Sequence, residues 1–91
     1  MEKITIDVLK TDILLGKQDV AKSCAIARAA KRQGLQNVSV DSKIEFTRGS
    51  KHFEGKLPTR IVSWIEKFDN GTKSELATKP FSFSVQVKEV A

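Results

Sequence analysis

The feature that most constrains this chain is alternation of apolar and polar side chains with a period of two residues. Residues 81–88 read Phe-Ser-Phe-Ser-Val-Gln-Val-Lys, and Ile4, Ile6 and Val8 repeat the pattern near the other end of the chain. Successive side chains of a β-strand point to opposite faces, so such segments are typical of half-buried strands. The chain is therefore expected to build a sheet with one covered face.

Three shorter runs of the same kind lie in the middle of the sequence. Polar turn signals separate residues 37–41, 43–48 and 51–56, which we interpret as consecutive antiparallel strands. The first strand is predicted over residues 3–9. Pro80 favours either an extended approach to the last strand or an edge position for that strand.

A first long helix is predicted within residues 19–33, which are rich in Ala, Lys, Arg and Gln. Asp19 and Ser23 are both good N-cap residues. The sequence therefore leaves two starting points open, one at Val20 and one at Cys24.

A second long helix is predicted to begin at Leu57-Pro58, since proline is favoured in the first turn. Its apolar residues recur at the helical spacing of a core-facing stripe. They are Leu57, Ile61, Trp64, Ile65 and Phe68. A single helical turn is predicted at residues 13–15, ended by Gly16, and a polar loop at residues 72–79.

Together these elements predict one α+β domain over residues 1–91, with a mainly antiparallel sheet of four to five strands and two main helices packed on one face. A chain of 91 residues is long enough for one such core. No stretch has the roughly 18 apolar residues of a membrane span, and the N-terminus lacks a signal-peptide pattern. A single cysteine and no export signal favour a reducing compartment.

The sequence offers little that resembles catalytic chemistry. A structural zinc site usually needs four Cys or His ligands, and the chain has only Cys24 and His52. A dyad of these two is conceivable, but Cys24 lies among small residues on the predicted buried helix face, where free cysteine usually has a packing role. The chain also lacks a glycine-rich phosphate loop. We therefore expect no catalytic residue, cofactor or metal, and a protein that is not an enzyme.

The basic residues are more informative about partners. Lys plus Arg is 16 and Asp plus Glu is 11, which gives a net charge of +5. Basic side chains gather on one face of the first helix and around one hairpin. If these regions share a side of the molecule, they form a patch for phosphates or for an acidic protein surface. The candidate site comprises Arg28, Lys31, Arg32, Arg48, Lys51, His52, Phe53, Lys56 and Arg60. Phe53 is included as an exposed aromatic that could stack on a base. Ordinary solubilising charge is the alternative explanation.

Three segments carry a resemblance to a known group of proteins. The first contains Asp12-Ile13, Gly16 and residues 23–28 (Ser-Cys-Ala-Ile-Ala-Arg), the second runs from Leu57-Pro58 to Gly71, and the third is Pro-Phe-Ser-Phe at 80–83. Their order and spacing resemble small uncharacterised proteins of tailed-phage and prophage genomes. In that group the first motif is Asp-Ile, Gly and then Cys-Pro-(Ile/Val)-Ala, so Ala25 is a departure.

The resemblance implies a phage or prophage accessory protein that acts in bacterial cytoplasm. The group has no established activity, but small proteins of that origin commonly act by binding nucleic acid or a host machine. Together with the small size of the chain and the lack of a catalytic set, this leads us to expect a non-enzymatic inhibitor or modulator of a host nucleic-acid-processing or defence complex, of the anti-CRISPR or anti-restriction type, that acts by protein contacts. Direct binding of DNA or RNA by the basic patch is the alternative. No membrane partner is expected. A monomer and a homodimer both remain open, the latter through an exposed edge strand at 37–41 or 81–88.

Overall fold

The computed structural model describes residues 2–90, which form a five-stranded antiparallel sheet and four helices. The strands are β1 (Glu2–Val8), β2 (Gln36–Val40), β3 (Lys43–Arg48), β4 (Lys51–Lys56) and β5 (Phe81–Val90). The helices are α1 (Lys10–Leu15), α2 (Ala25–Arg32), α3 (Thr59–Asn70) and α4 (Lys73–Leu76). The predicted α+β class is confirmed, and all five predicted strands are present within two residues of their expected bounds.

The strand order is β1-β5-β4-β3-β2, with antiparallel pairing throughout. The three middle strands follow one another by tight turns, as the sequence predicts. The last strand returns to pair with the first, so that Ile6 lies opposite Phe83. Because β5 lies between β1 and β4, it is not an edge strand. The edge position suggested by Pro80, and self-pairing through residues 81–88, are therefore wrong.

The structure defines the residue at which each of the two long helices begins. α2 begins at Ala25, one residue after the shorter of the two predicted starts, and its N-cap is Cys24 rather than Ser23. The longer helix from Val20 is wrong. α3 begins at Thr59, directly after Pro58. The predicted polar loop at 72–79 contains the one-turn helix α4, because the half-buried Leu76 packs against the core.

The sheet curls into a half-barrel, with its apolar side chains on the concave face. An ion pair between Arg48 of β3 and Glu2 of β1 shows the curl. Arg48 Nη1 lies 2.7 Å from Glu2 Oε2, and Arg48 Nη2 lies 2.5 Å from Glu2 Oε1. Strands three positions apart in a flat sheet would be separated by about 14 Å. The hydrogen bonds from Arg48 also lower the pKa of the Glu2 carboxyl.

The helix α2 closes the open side of the half-barrel, where it contacts both edge strands β1 and β2. The Gln33 side chain acts as an extra peptide group on the β1 edge. Its Oε1 accepts from Asp7 N at 2.7 Å, and its Nε2 donates to Thr5 O at 2.9 Å. On the other edge, Val40 N donates to Ala21 O at 2.9 Å. These bonds occupy part of each edge and disfavour pairing with the edge of another chain.

Small residues make this closure possible. Ala25, Ala27, Ala29 and Ala30 are all fully buried, so the helix backbone lies close to the sheet. None of the helices within residues 2–90 is long and apolar enough to cross a membrane.

Candidate functional site

The arginines of α2 are held by one buried carboxylate. Asp12 is only 1% exposed, and its Oδ2 lies 3.0 Å from Arg32 Nη2 and accepts from Leu9 N at 2.9 Å. Arg28 Nε lies 3.8 Å from Asp12 Oδ1. Arg32 also donates to the Asp7 carbonyl at 2.6 Å. Arg28 and Arg32 are therefore half-exposed but already paired, and their ion pairs with Asp12 connect α2 to α1.

The basic residues of the β3–β4 hairpin also have acidic neighbours. Besides the pair of Arg48 with Glu2, Lys51 Nζ lies 3.7 Å from Glu89 Oε1. His52 Nε2 lies 4.0 Å from Glu45 Oε1. Much of the hairpin's positive charge is thus balanced within the chain.

The expectation that Phe53 is an exposed stacking aromatic is wrong. Phe53 lies on the concave face, is 7% exposed and stacks on Phe46 with the ring centroids 5.4 Å apart. The guanidinium of Arg48 covers it at 4.7 Å from the ring centroid. The position near a hairpin turn suggested exposure, whereas the curl of the sheet and the Arg48 side chain bury the ring.

Cys24 and His52 lie on opposite sides of the sheet. Cys24 is 4% exposed on the side covered by the helices, and burial raises the pKa of its thiol. His52 precedes the inward-facing Phe53 in β4 and therefore points to the outer side. Among residues 2–90, no group of three His, Cys, Asp or Glu side chains is arranged to hold a metal ion.

Three of the predicted site residues, Lys31, Lys56 and Arg60, line separate grooves that carry basic side chains. Lys56 contributes to a groove of about 580 Å³ that we call the sheet groove. Its lining residues are Ser42, Lys43, Glu54, Gly55, Lys56, Gln86 and Lys88. Lys43 is paired there with Glu54 at 3.3 Å, while Lys56 and Lys88 form no ion pair within residues 2–90. Lys31 lies elsewhere on α2, where its ammonium donates to the Lys22 carbonyl.

Arg60 belongs to the second groove, of about 380 Å³, between α3, α4 and the start of β5. We call it the α3 groove. Its lining residues are Arg60, Ile61, Trp64, Lys67, Glu75, Leu76, Lys79 and Phe81. Arg60, Trp64 and Lys67 share one side of α3 because they follow one another at helical spacing. Within residues 2–90, Arg60, Lys67 and Lys79 form no ion pair, although Glu75 lies in the same groove.

Aromatic side chains form the floor of the α3 groove. The Trp64 ring lies 4.8 Å from Phe81, at an interplanar angle of 60°. It stacks on the buried Phe68, with centroids 5.5 Å apart and an angle of 12°. Trp64 and Phe81 are both half-buried, so they present apolar surface to the groove while remaining fixed by the core. The result is an apolar floor beneath three exposed cations.

The opposite side of α3 has the reverse charge. A groove of about 310 Å³ there is lined by Asp19, Val20, Ala21, Cys24, Val40, Asp41, Val62, Ile65, Glu66 and Asp69. It has four carboxylates and no basic side chain among its lining residues. α3 therefore separates a basic surface from an acidic one, and a net charge of +5 conceals this division.

The structure thus does not bring the nine predicted residues into one patch. It divides them among α2, the hairpin and two grooves. Sequence reasoning found Arg60 but missed Trp64, Lys67, Lys79 and Phe81 as its companions. The signal available was the spacing of Arg60, Trp64 and Lys67 on one side of a predicted helix.

Comparison of the chain with family models, curated proteins and solved structures finds no match. The function of the chain is therefore inferred from the geometry of residues 2–90.

Proposed function

We propose that this chain is a non-enzymatic binding protein of phage or prophage origin. It inhibits or modulates a nucleic-acid-processing or defence complex in the cytoplasm of a bacterial host, and it does so through protein contacts. The α3 groove is its contact surface. The resemblance of its motifs to small phage proteins supports the origin, and the groove supports the mode of action.

The observation that carries the proposal is the combination of a fixed aromatic floor with unpaired cations at the rim. Tryptophan and arginine dominate the energetics of protein interfaces, where an apolar centre is surrounded by a polar rim. Trp64 and Arg60 supply these two elements within one groove. Lys67 and Lys79 add positive charge, so the complementary surface is acidic and carries at least one apolar side chain.

Affinity capture from a bacterial lysate, with and without nuclease, tests this function. The wild-type protein is expected to retain a host protein complex that survives nuclease treatment. The double variant Arg60→Glu/Lys67→Glu is expected to lose it, since it reverses the charge of the rim. Lys3→Glu/Lys17→Glu is the matched control, because both lysines are exposed, lie outside the α3 groove and give the same change in net charge. Equal retention by all three proteins would contradict the proposal.

Direct binding of nucleic acid is the second candidate, and the sheet groove favours it. Lys56 and Lys88 lie there without ion pairs, where they can contact phosphates. The outer face of the sheet, however, carries no Phe, Trp or Tyr among residues 2–90, since the strands point their phenylalanine rings inward. Retention that disappears with nuclease, and that is weakened by Lys56→Ala/Lys88→Ala, would favour this candidate.

A further inference from the structure

Exposed leucines mark a second feature of the surface that bears the α3 groove. Within residues 2–90, four large hydrophobic side chains are exposed, and three of them lie in one short segment. Leu9 is 43% exposed, Leu14 40% and Leu15 60%. We call these three residues the leucine patch. Single exposed leucines are ordinary, whereas several in a segment of seven residues indicate a surface that another molecule covers.

The leucine patch and the α3 groove lie on neighbouring elements at one end of the sheet. Leu9 directly follows Val8, which pairs with Phe81 of the groove floor. α1 carries the other two leucines and contacts α4. α4 in turn contributes Glu75 and Leu76 to the groove. The apolar floor, the leucines and the cationic rim therefore lie on elements that neighbour one another at this end of the sheet.

We propose that this region docks an acidic amphipathic helix of a partner protein. Apolar side chains of the partner helix cover the leucine patch and enter the α3 groove against Trp64 and Phe81. Its Asp and Glu residues meet Arg60, Lys67 and Lys79. This inference rests on the proposed function and specifies the partner of the same site.

Charge and shape favour a protein helix over a nucleic acid. An amphipathic helix presents an apolar stripe beside acidic side chains, which complements leucines beside cations. A base would need free indole surface to stack on, whereas Phe68 stacks on Trp64 and Phe81 packs against it at an angle of 60°. The exposed leucines add nothing to the recognition of phosphates, whereas they match the apolar stripe of a helix.

The intrinsic fluorescence of Trp64 provides a direct assay. The chain has one Trp and no Tyr, so its emission reports on the α3 groove alone. The probe is an 18-residue peptide with leucines at helical i, i+3, i+4 and i+7 spacing and glutamates at the other positions. Its controls are a scrambled peptide of the same composition and a peptide with lysine in place of glutamate. Calorimetry measures affinity and stoichiometry in parallel.

The acidic peptide is expected to shift the Trp64 emission and to bind one to one. Arg60→Glu/Lys67→Glu and Leu14→Ser/Leu15→Ser are each expected to weaken binding at least about tenfold. Lys3→Glu/Lys22→Glu, which gives the same change in net charge at two exposed lysines outside the α3 groove and away from the leucine patch, is expected to stay within about twofold of the wild type. Circular dichroism verifies that each variant is folded.

Several results would overturn the inference. These are equal binding of the scrambled or the lysine peptide, no effect of the groove variant, and tighter binding of single-stranded DNA or of phosphatidylglycerol vesicles than of the acidic peptide. The outcome can be separated from that of the proposed function. If lysate capture depends on the groove but the acidic peptide does not bind, the function stands and this inference falls. If the acidic peptide binds but lysate capture does not depend on the groove, the proposed function falls and the groove is still shown to bind an acidic helix.

Discussion

Replacing Asp12 by alanine is expected to lower the free energy of unfolding by about 2–4 kcal/mol. Asp12 is the one buried charged side chain within residues 2–90. The substitution removes its ionic hydrogen bond with Arg32 and its hydrogen bond to Leu9 N, which caps α1. Arg28 and Arg32 are 45% and 40% exposed, so water compensates for part of the loss and keeps the cost below that of a fully buried pair.

Thermal and urea unfolding measure this effect. For a domain of this size, the expected loss lowers the melting temperature by roughly 10–25 °C. Asp7→Ala is the control, since it removes a carboxylate that is exposed on the outer face of the sheet. Its expected cost is below about 1 kcal/mol. If Asp12→Ala were no more destabilising than Asp7→Ala, the buried carboxylate would not hold α1 to α2.

Gly16→Ala is expected to destabilise the protein by about 2–4 kcal/mol, although the backbone conformation of Gly16 suits any residue. A Cβ at this position would lie 2.6 Å from Ala25 N and 2.8 Å from Asp12 O. Both atoms belong to the backbone, so no side chain can rotate away. The substitution must therefore push α1 away from the start of α2.

The sign of the change makes this prediction decisive. Where no contact interferes, Gly→Ala stabilises a protein by about 0.4–1 kcal/mol through the unfolded state. Gly34→Ala provides the control, because a Cβ there meets nothing within 4 Å and the cost comes only from its positive φ of 101°. We expect that cost to be about 1 kcal/mol. A neutral or stabilising Gly16→Ala would show that the two helices do not approach each other as described.

Local pattern was sufficient to predict the five strands and the two long helices of this fold, but not the one-turn helix α4. Alternation over residues 81–88 and the stripe from Leu57 to Phe68 each depend on neighbours within a few positions, which the sequence displays directly. Strand order depends on which distant segments pair, and nothing near Pro80 indicates that β5 inserts between β1 and β4. Gly16 shows the same limit of local pattern. The sequence indicates that Gly16 ends a helical turn, but its close contact with the backbone of Ala25 arises only in the folded chain.

The site was harder to predict because a charge matters only together with its partners. Arg32 and Asp12 are 20 positions apart, so the sequence showed a basic helix face without the carboxylate that holds it. Arg48 and Glu2 are 46 positions apart and meet only because the sheet curls. The α3 groove likewise forms only when Phe81 is brought beside Trp64.

The phage-challenge assay tests the central claim most directly, namely that this chain blocks a host complex through the α3 groove. The protein is expressed in a bacterium whose CRISPR or restriction system targets an infecting phage, and the efficiency of plating is measured. Wild type and Lys3→Glu/Lys17→Glu are expected to restore plaques, whereas Arg60→Glu/Lys67→Glu, expressed at the same level, is expected to restore at least about tenfold fewer. Equal plating by the groove variant and the wild type, or no restoration by any of the three in hosts carrying either kind of system, would contradict the account.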